Sequence, residues 1–284
     1  MLAYFNKLTM KRRKLLLLAS GALITLPSCG SKKSKGTAQK SSNSTSRVVP
    51  LGGTRGAYRP PAYTGRGLKN PSINLPSSFW GRTVTHRSGP SSQPYVAMTF
   101  DDGPHPQNTP RLLNILRDRN IKATFYVIGN CVDRHPHIVR RIVAEGHEIG
   151  NHTYTHRKLT TLGSSEVRTE MRKTQAAIVR AAGVKPRTMR PPYGALRTDQ
   201  RNTIFSEFGY PTIMWSVDPQ DWKRPGPSIV SSRILSSSRN GSIILAHDLH
   251  KPTIDAMPRT LDGLLAKGFK FITVSQMLAL KGQA

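Results

Sequence analysis

The first 94 positions of this 284-residue chain contain no aspartate or glutamate, although they hold 16 lysines and arginines. A stretch with one sign of charge and few apolar residues beyond position 30 repels itself and cannot bury enough surface to build a core. Cysteine is nearly absent: only Cys29 and Cys131 occur, too few for a disulfide framework. Nothing around Cys131 would activate a thiol, so it reads as a small buried apolar residue rather than a nucleophile. No run of about 18 or more apolar residues lies away from the N-terminus, which argues against an internal membrane-spanning helix. Zinc-finger spacing, RNA-binding aromatic motifs and homeodomain patterns are missing, so no nucleic-acid partner is expected despite a net charge of +28. The H-E-x-x-H pattern of metalloproteases is missing too, because His152 stands one residue too far from His147-Glu148.

The N-terminus has the order of a secretory signal. Lys11, Arg12, Arg13 and Lys14 precede an apolar stretch from Leu15 to Leu26, and Leu26-Pro27-Ser28-Cys29 follows. That ending resembles a bacterial lipobox, in which Cys29 would carry lipid, although Pro27 is unusual there. The expected organisation is a signal or lipoprotein segment over 1–29, a basic low-complexity linker and arm over 30–94, and a catalytic domain over 95–284. The protein is then exported, either held on the cell envelope by a lipid anchor in the membrane or secreted. The basic linker reads first as a solvated tether, and its charge also suits contact with anionic envelope polymers. From residue 95 onward, 27 basic residues face all 15 acidic ones, a net +12.

From Tyr95 the texture changes to alternating short apolar runs and helical patterns. Tyr95 to Phe100 reads as a buried strand stopped by Asp101-Asp102-Gly103-Pro104. Helices are expected over 108–119, 136–145 and 164–182, and strands over 123–128, 147–150, 188–190, 211–217, 242–246 and 269–274. Such alternation predicts an α/β fold, a parallel sheet with helical crossovers, either open or closed into a barrel.

Every cluster of reactive residues falls just after a strand-like run, and in a barrel those ends converge on one face. Asp101 and Asp102 are adjacent carboxylates that alternation along a strand would aim apart, so one can bind a metal while the other acts as a base. Alone, the pair reads equally as a turn. His152 and His156, four apart, would face the same way on a helical turn and share a metal; with Asp102 they make two imidazoles and a carboxylate, leaving positions open as catalytic zinc requires. Arg190-Pro191-Pro192-Tyr193-Gly194 is a rigid segment whose Arg could hold a carboxylate through a bidentate pair. In Asp218-Pro219-Gln220-Asp221-Trp222, Trp222 could wall a sugar ring and Asp221 could orient a histidine. His247, directly after Ile243–Ala246, is placed to act as a general acid.

Together, Thr99-Phe100-Asp101-Asp102-Gly103-Pro104, His152-x-x-x-His156, Arg190-Pro191-Pro192-Tyr193, Asp218-x-x-Asp221-Trp222 and Leu245-x-His247 resemble, in order, the five motifs of the NodB-homology polysaccharide deacetylases, carbohydrate esterase family 4. The likeness covers about residues 95–280 and is similar in its last stretch to bacterial peptidoglycan N-acetylglucosamine deacetylases. It implies a distorted (β/α) barrel and a divalent metal, zinc first, with cobalt and nickel suiting the same donors. It implies Asp102, His152 and His156 as ligands, and Asp101 as the base, tethered by Arg190. His247 would be the acid, oriented by Asp221, with Trp222 and Leu245 lining the acetyl pocket and the Tyr193 N–H at the oxyanion. The substrate implied is an N-acetylglucosamine polymer, peptidoglycan foremost; chitin-like oligomers, exopolysaccharide and acetylated xylan are the alternatives, and a non-catalytic glycan binder is the rival outside enzymology.

Overall fold

The structure is a computed structural model that describes residues 85–281. The signal-like segment, Cys29 and the basic linker to residue 84 lie outside the described residues. β1 (Thr85–His86), in the stretch expected as an arm, pairs in parallel with Thr212–Ile213. β2 (Tyr95–Asp101) is central, and α1 (Asn108–Arg117) crosses to β3 (Thr124–Val127). α2 (Gly129–Arg134) and α3 (Pro136–Ala144) lead to β4 (Glu148–Asn151), followed by α4 (Ser164–Ala182) and α5 (Thr198–Phe208). β5 (Thr212–Ile213), α6 (Pro227–Ser237), β6 (Ile243–His247), α7 (Lys251–Ala266), β7 (Lys270–Phe271) and α8 (Val274–Lys281) complete the order.

The main sheet runs β4-β3-β2-β6, with every pair parallel. Single parallel bridges carry the ring onward from Asn151 to Met189, from Met189 to Thr212, and from Val217 to Ile244. Residues 212–217 thus begin beside Met189 and end beside β6, closing an irregular barrel. The strand expected over 188–190 shrinks to that one bridge at Met189. Pro191 and Pro192 follow it immediately, and neither has an N–H to extend a ladder.

The pleat of β2 divides two environments. Val96, Met98 and Phe100 face the helices, packing with Leu112, Leu113 and Leu116 of α1. Each fully buried Leu or Phe of this kind contributes about 1.5–3 kcal/mol. Ala97 faces the other way, toward Tyr126, Ile213 and Ile243, and the period of two carries Thr99 and Asp101 to that inner side. α4 keeps its expected bounds because both ends are marked. The Glu166 carboxylate accepts the Gly163 N–H at 3.1 Å, and Gly183 closes the helix at φ 69°, where a residue without Cβ is favoured. No described helix is long and apolar enough to cross a membrane.

Candidate metal centre and active site

The C-terminal ends of β2, β4 and β6 and the segment after Met189 open on one cavity. Its lining includes Asp101, Asp102, His152, His156, Tyr193, Trp222, Leu245 and His247, so the clusters separated in sequence do meet. Cys29 lies outside the described residues.

Asp102, His152 and His156 form the only group among the described residues whose donor atoms sit close enough to share a metal ion, all within 4.8 Å of one another. Asp102 Oδ1 stands 3.3 Å from Nε2 of His152 and 3.1 Å from Nε2 of His156. That oxygen is buried and has no hydrogen-bond partner of acceptable geometry. The tautomer of His152 is fixed from behind. Its Nδ1 lies 2.7 Å from the Arg190 carbonyl oxygen, which can only accept, so Nδ1 carries the proton and the Nε2 lone pair points at Asp102. Burial disfavours the Asp102 charge, but His152 and His156, when protonated, outweigh it and hold the carboxyl well below the usual carboxylate range; a bound cation would supply that positive charge with both Nε2 atoms as lone-pair donors. Converging lone pairs around an unpartnered buried oxygen suit a borderline divalent cation.

The histidines reach this geometry by a different route from the expected helical turn. Residues 152–156 form a loop in which Thr153 and His156 adopt φ of 66° and 60°. The Thr153 hydroxyl accepts the His156 N–H at 3.0 Å, and the Asn151 side-chain oxygen accepts the Thr153 N–H at 2.9 Å. Asp101 and Asp102 are likewise parted by a turn at Asp102, φ 76°, as well as by the pleat. Of the seven described non-glycine residues with positive φ, all but Asn120 lie in the loops of this face. Each such position costs energy that the surrounding contacts must offset, and strain of this kind gathers at functional sites.

Asp101 is buried against Arg190. Arg190 Nη1 donates to Asp101 Oδ1 at 2.7 Å and to the Thr99 hydroxyl at 2.7 Å. Its Nε and Nη2 donate to the carbonyls of Ile213 and Met214. The guanidinium is fully buried and lies 4.3 Å from the Tyr126 ring centroid. The contact to Asp101 is one fork of the guanidinium, not the bidentate pair expected. Asp101 Oδ2 is left facing the metal side, 3.9 Å from Nε2 of His152.

Across the cavity, His247 is held by Asp221. Nδ1 of His247 lies 2.8 Å from Asp221 Oδ1, while Oδ2 accepts the His247 backbone N–H and the Thr253 hydroxyl, each at 2.8 Å. Nδ1–H donates, which leaves Nε2 toward the cavity. Burial opposes the imidazolium, but the bond and charge of Asp221, with Asp101 and Asp102 behind, push its pKa up to about 9. Trp222 and Tyr193 are large rings left 51% and 68% exposed at the rim, and Leu245 is buried beneath them. The Tyr193 ring stands 4.9 Å from that of His156.

The family profile described as polysaccharide deacetylase matches residues 88–213. A chitooligosaccharide deacetylase of Sinorhizobium fredii is 39% identical over 202 residues, covering 66% of this chain and 93% of that protein. The chain belongs to the polysaccharide deacetylase family. The peptidoglycan-N-acetylglucosamine deacetylase PgdA of Listeria monocytogenes is 40% identical over 188 residues, 66% of this chain. The match spans only about 40% of the Listeria protein's length. A crystal structure of a peptidoglycan N-acetylglucosamine deacetylase superposes on this deacetylase-family fold with a TM-score of 0.66 at 37% identity. It covers 68% of this chain and 92% of that one.

Some contributors escaped the sequence reading. Trp215 lines the cavity; it lies inside the run expected as a strand over 211–217, which gave no reason to single it out. Cys131 is free and half-buried rather than fully buried; burial raises its thiol pKa, against the opposing Arg134 guanidinium.

Proposed function

We propose that the chain is a metal-dependent hydrolase that removes N-acetyl groups from N-acetylglucosamine residues of a polysaccharide, peptidoglycan foremost. The observation that carries this reading is the placement of a base and an acid on opposite sides of one candidate metal centre. Asp102, His152 and His156 would hold the cation, for which zinc is the first choice. When bound, the cation polarises the amide carbonyl and lowers the pKa of water from about 15.7 to near 7. Asp101 Oδ2 takes the proton from the attacking water, while Arg190 pins Oδ1 so that the carboxylate does not swing. His247 Nε2 delivers a proton to the departing nitrogen, and Asp221 keeps that imidazole charged and in the required tautomer. His247, its pKa pushed up to about 9, would hold a proton near neutrality, as the acid partner must. Leu245 and Trp222 bound a small apolar slot for the acetyl methyl. The exposed Tyr193 and Trp222 rings suit the flat faces of sugars, and the Tyr193 N–H is assigned to the oxyanion.

The second reading keeps this chemistry on chitin-like oligomers, and the Sinorhizobium relative supports it. Acetate release from peptidoglycan fragments, chitooligosaccharides and acetylated xylan separates the substrates. Release from peptidoglycan that disappears with Asp101→Asn supports the first reading. Binding without release from any glycan contradicts hydrolysis altogether.

The setting of the enzyme is part of the proposal. Lipid on Cys29 would anchor it to the envelope membrane, and the acid-free segment before Tyr95 would contact anionic polymers there. Cys29→Ser should move the protein from the membrane fraction to the soluble one; unchanged fractionation contradicts the anchor.

A further inference from the structure

We infer that Glu170, on α4, is the positioning residue that holds both histidines of the candidate metal centre in ligand geometry; this rests on the metal reading above. Glu170 is a carboxylate on the buried stripe of α4, between Val167 and Met171, where an apolar residue would be expected. It makes no ion pair with a described cation that would account for its burial. Its oxygens instead meet the loop between the two histidines. Oε2 accepts the N–H groups of Tyr154 and Thr155 at 2.7 and 2.8 Å, and Oε1 accepts the Thr155 hydroxyl at 2.7 Å.

The same two peptide units are gripped from the other side. The N–H groups of Gly129 and Asn130, at the start of α2, donate to the carbonyls of Thr153 and Tyr154 at 2.9 and 3.0 Å. A Cβ at Gly129 would collide with the Tyr154 ring and with Thr174 of α4, which explains glycine there. The Tyr154 side chain then runs outward, its hydroxyl donating to Asp133 of α2 at 2.9 Å, with the Lys173 ammonium 5.4 Å from its ring. Loop, α2 and α4 are thus one clamp, and Glu170 supplies its acceptors.

The clamp matters because the loop is not a regular element. With φ of 66° at Thr153 and 60° at His156, it has no ladder of its own to keep His152 and His156 converged on Asp102. Without the Glu170 acceptors, two partly buried N–H groups lose their partners, and rotation of the loop to turn them to water would carry His156 away. Groups behind a ligand that fix its orientation change metal affinity by about 10–100-fold when removed.

The test compares full-length wild-type protein with Glu170→Met, Glu170→Gln and Thr155→Val. Zinc affinity is measured by chelator competition, with the Co2+ absorption spectrum as a report on ligand geometry and circular dichroism as a check on folding. Glu170→Met fills the same space with no acceptor and should bind zinc about 10–100-fold more weakly. Glu170→Gln should restore much of the loss, since its amide oxygen can take both N–H groups while its NH2 donates to the Thr155 hydroxyl. Thr155→Val removes one bond only and should fall nearer the wild type. Folded Glu170→Met protein with wild-type zinc affinity and an unchanged Co2+ spectrum overturns the role, because it would leave Glu170 a purely structural residue. If Glu170→Met fails to fold, Glu170→Ala takes its place: a folded variant with weakened zinc affinity and an altered Co2+ spectrum supports the role, and wild-type values for both overturn it equally. A wild-type protein that takes up no cation overturns the metal reading itself and this inference with it.

Discussion

The two ends of β4 carry two histidines five residues apart that meet opposite fates. At the N-terminal end, His147 packs edge-on against Phe125, its ring centroid 5.4 Å away. Its Nδ1 accepts the Ala123 N–H at 3.1 Å. Burial, with Lys122 and Arg141 adding to it, drives its pKa down to about 3. At the C-terminal end, His152 is just as buried, and burial again opposes its charge. There the carboxylates of Asp101 and Asp102 prevail and its proton affinity rises. Residue type and burial do not decide a histidine's chemistry; what faces the ring does. The strand ends differ because one end is closed by packing and the other gathers loops whose carboxylates point inward.

The largest effect should come from the functional end. Asp101→Asn should lower kcat by about 10²–10⁴-fold, the range for a lost general base, with zinc still bound stoichiometrically. Wild-type turnover in that variant would remove Asp101 from its role. Arg190→Met leaves the buried Asp101 charge without its partner, and breaking a buried pair in this way costs about 3–5 kcal/mol. Urea unfolding at pH 7 reads it directly, and a loss below about 1 kcal/mol would mean that Asp101 is satisfied elsewhere.

His247 gives the next test, on pH. Its raised pKa means that the proton is present below about 9 and lost above, so kcat should fall as pH rises through an alkaline limb. Asp221→Asn removes the largest stabiliser of the imidazolium and should move that limb toward about 6.5. A limb that stays in place would assign it to another group.

The smallest effect belongs to the packed end. The His147 pKa is lower folded than unfolded, so the unfolded chain binds the extra proton and stability falls as pH drops. Between about pH 6.5 and 3 the loss is about 1.4 kcal/mol per pH unit. His147→Asn, whose amide can still accept the Ala123 N–H, should flatten that slope in urea titrations between pH 7 and 5. An unchanged slope would place the acid sensitivity elsewhere.

Legibility in the sequence followed the same divide. β2 and its terminal Asp101-Asp102 could be read because a buried strand is a continuous apolar run that stops at a turn. α4 was legible to the residue because its amphipathic stripe is bounded by Gly163 and Gly183. The site loops were legible only in part. Spacing said that His152 and His156 meet, but a four-residue interval fits a helical turn as well as the left-handed loop that forms, and only tertiary partners choose. Glu170 was hidden for a related reason: a single carboxylate on an apolar stripe shows burial, while its three hydrogen bonds come from a loop outside α4. Trp215 could not be ranked, because lining a cavity depends on how segments 189–194 and 212–217 come together.

The central claim is that one divalent cation sits between Asp102, His152 and His156. The most direct measurement is anomalous diffraction at the zinc edge from crystals of zinc-loaded protein. The account predicts one strong peak about 2.0–2.2 Å from a carboxylate oxygen of Asp102 and from Nε2 of both histidines. A fully loaded crystal whose peak lies elsewhere, or beyond bonding distance of any of the three, would contradict it.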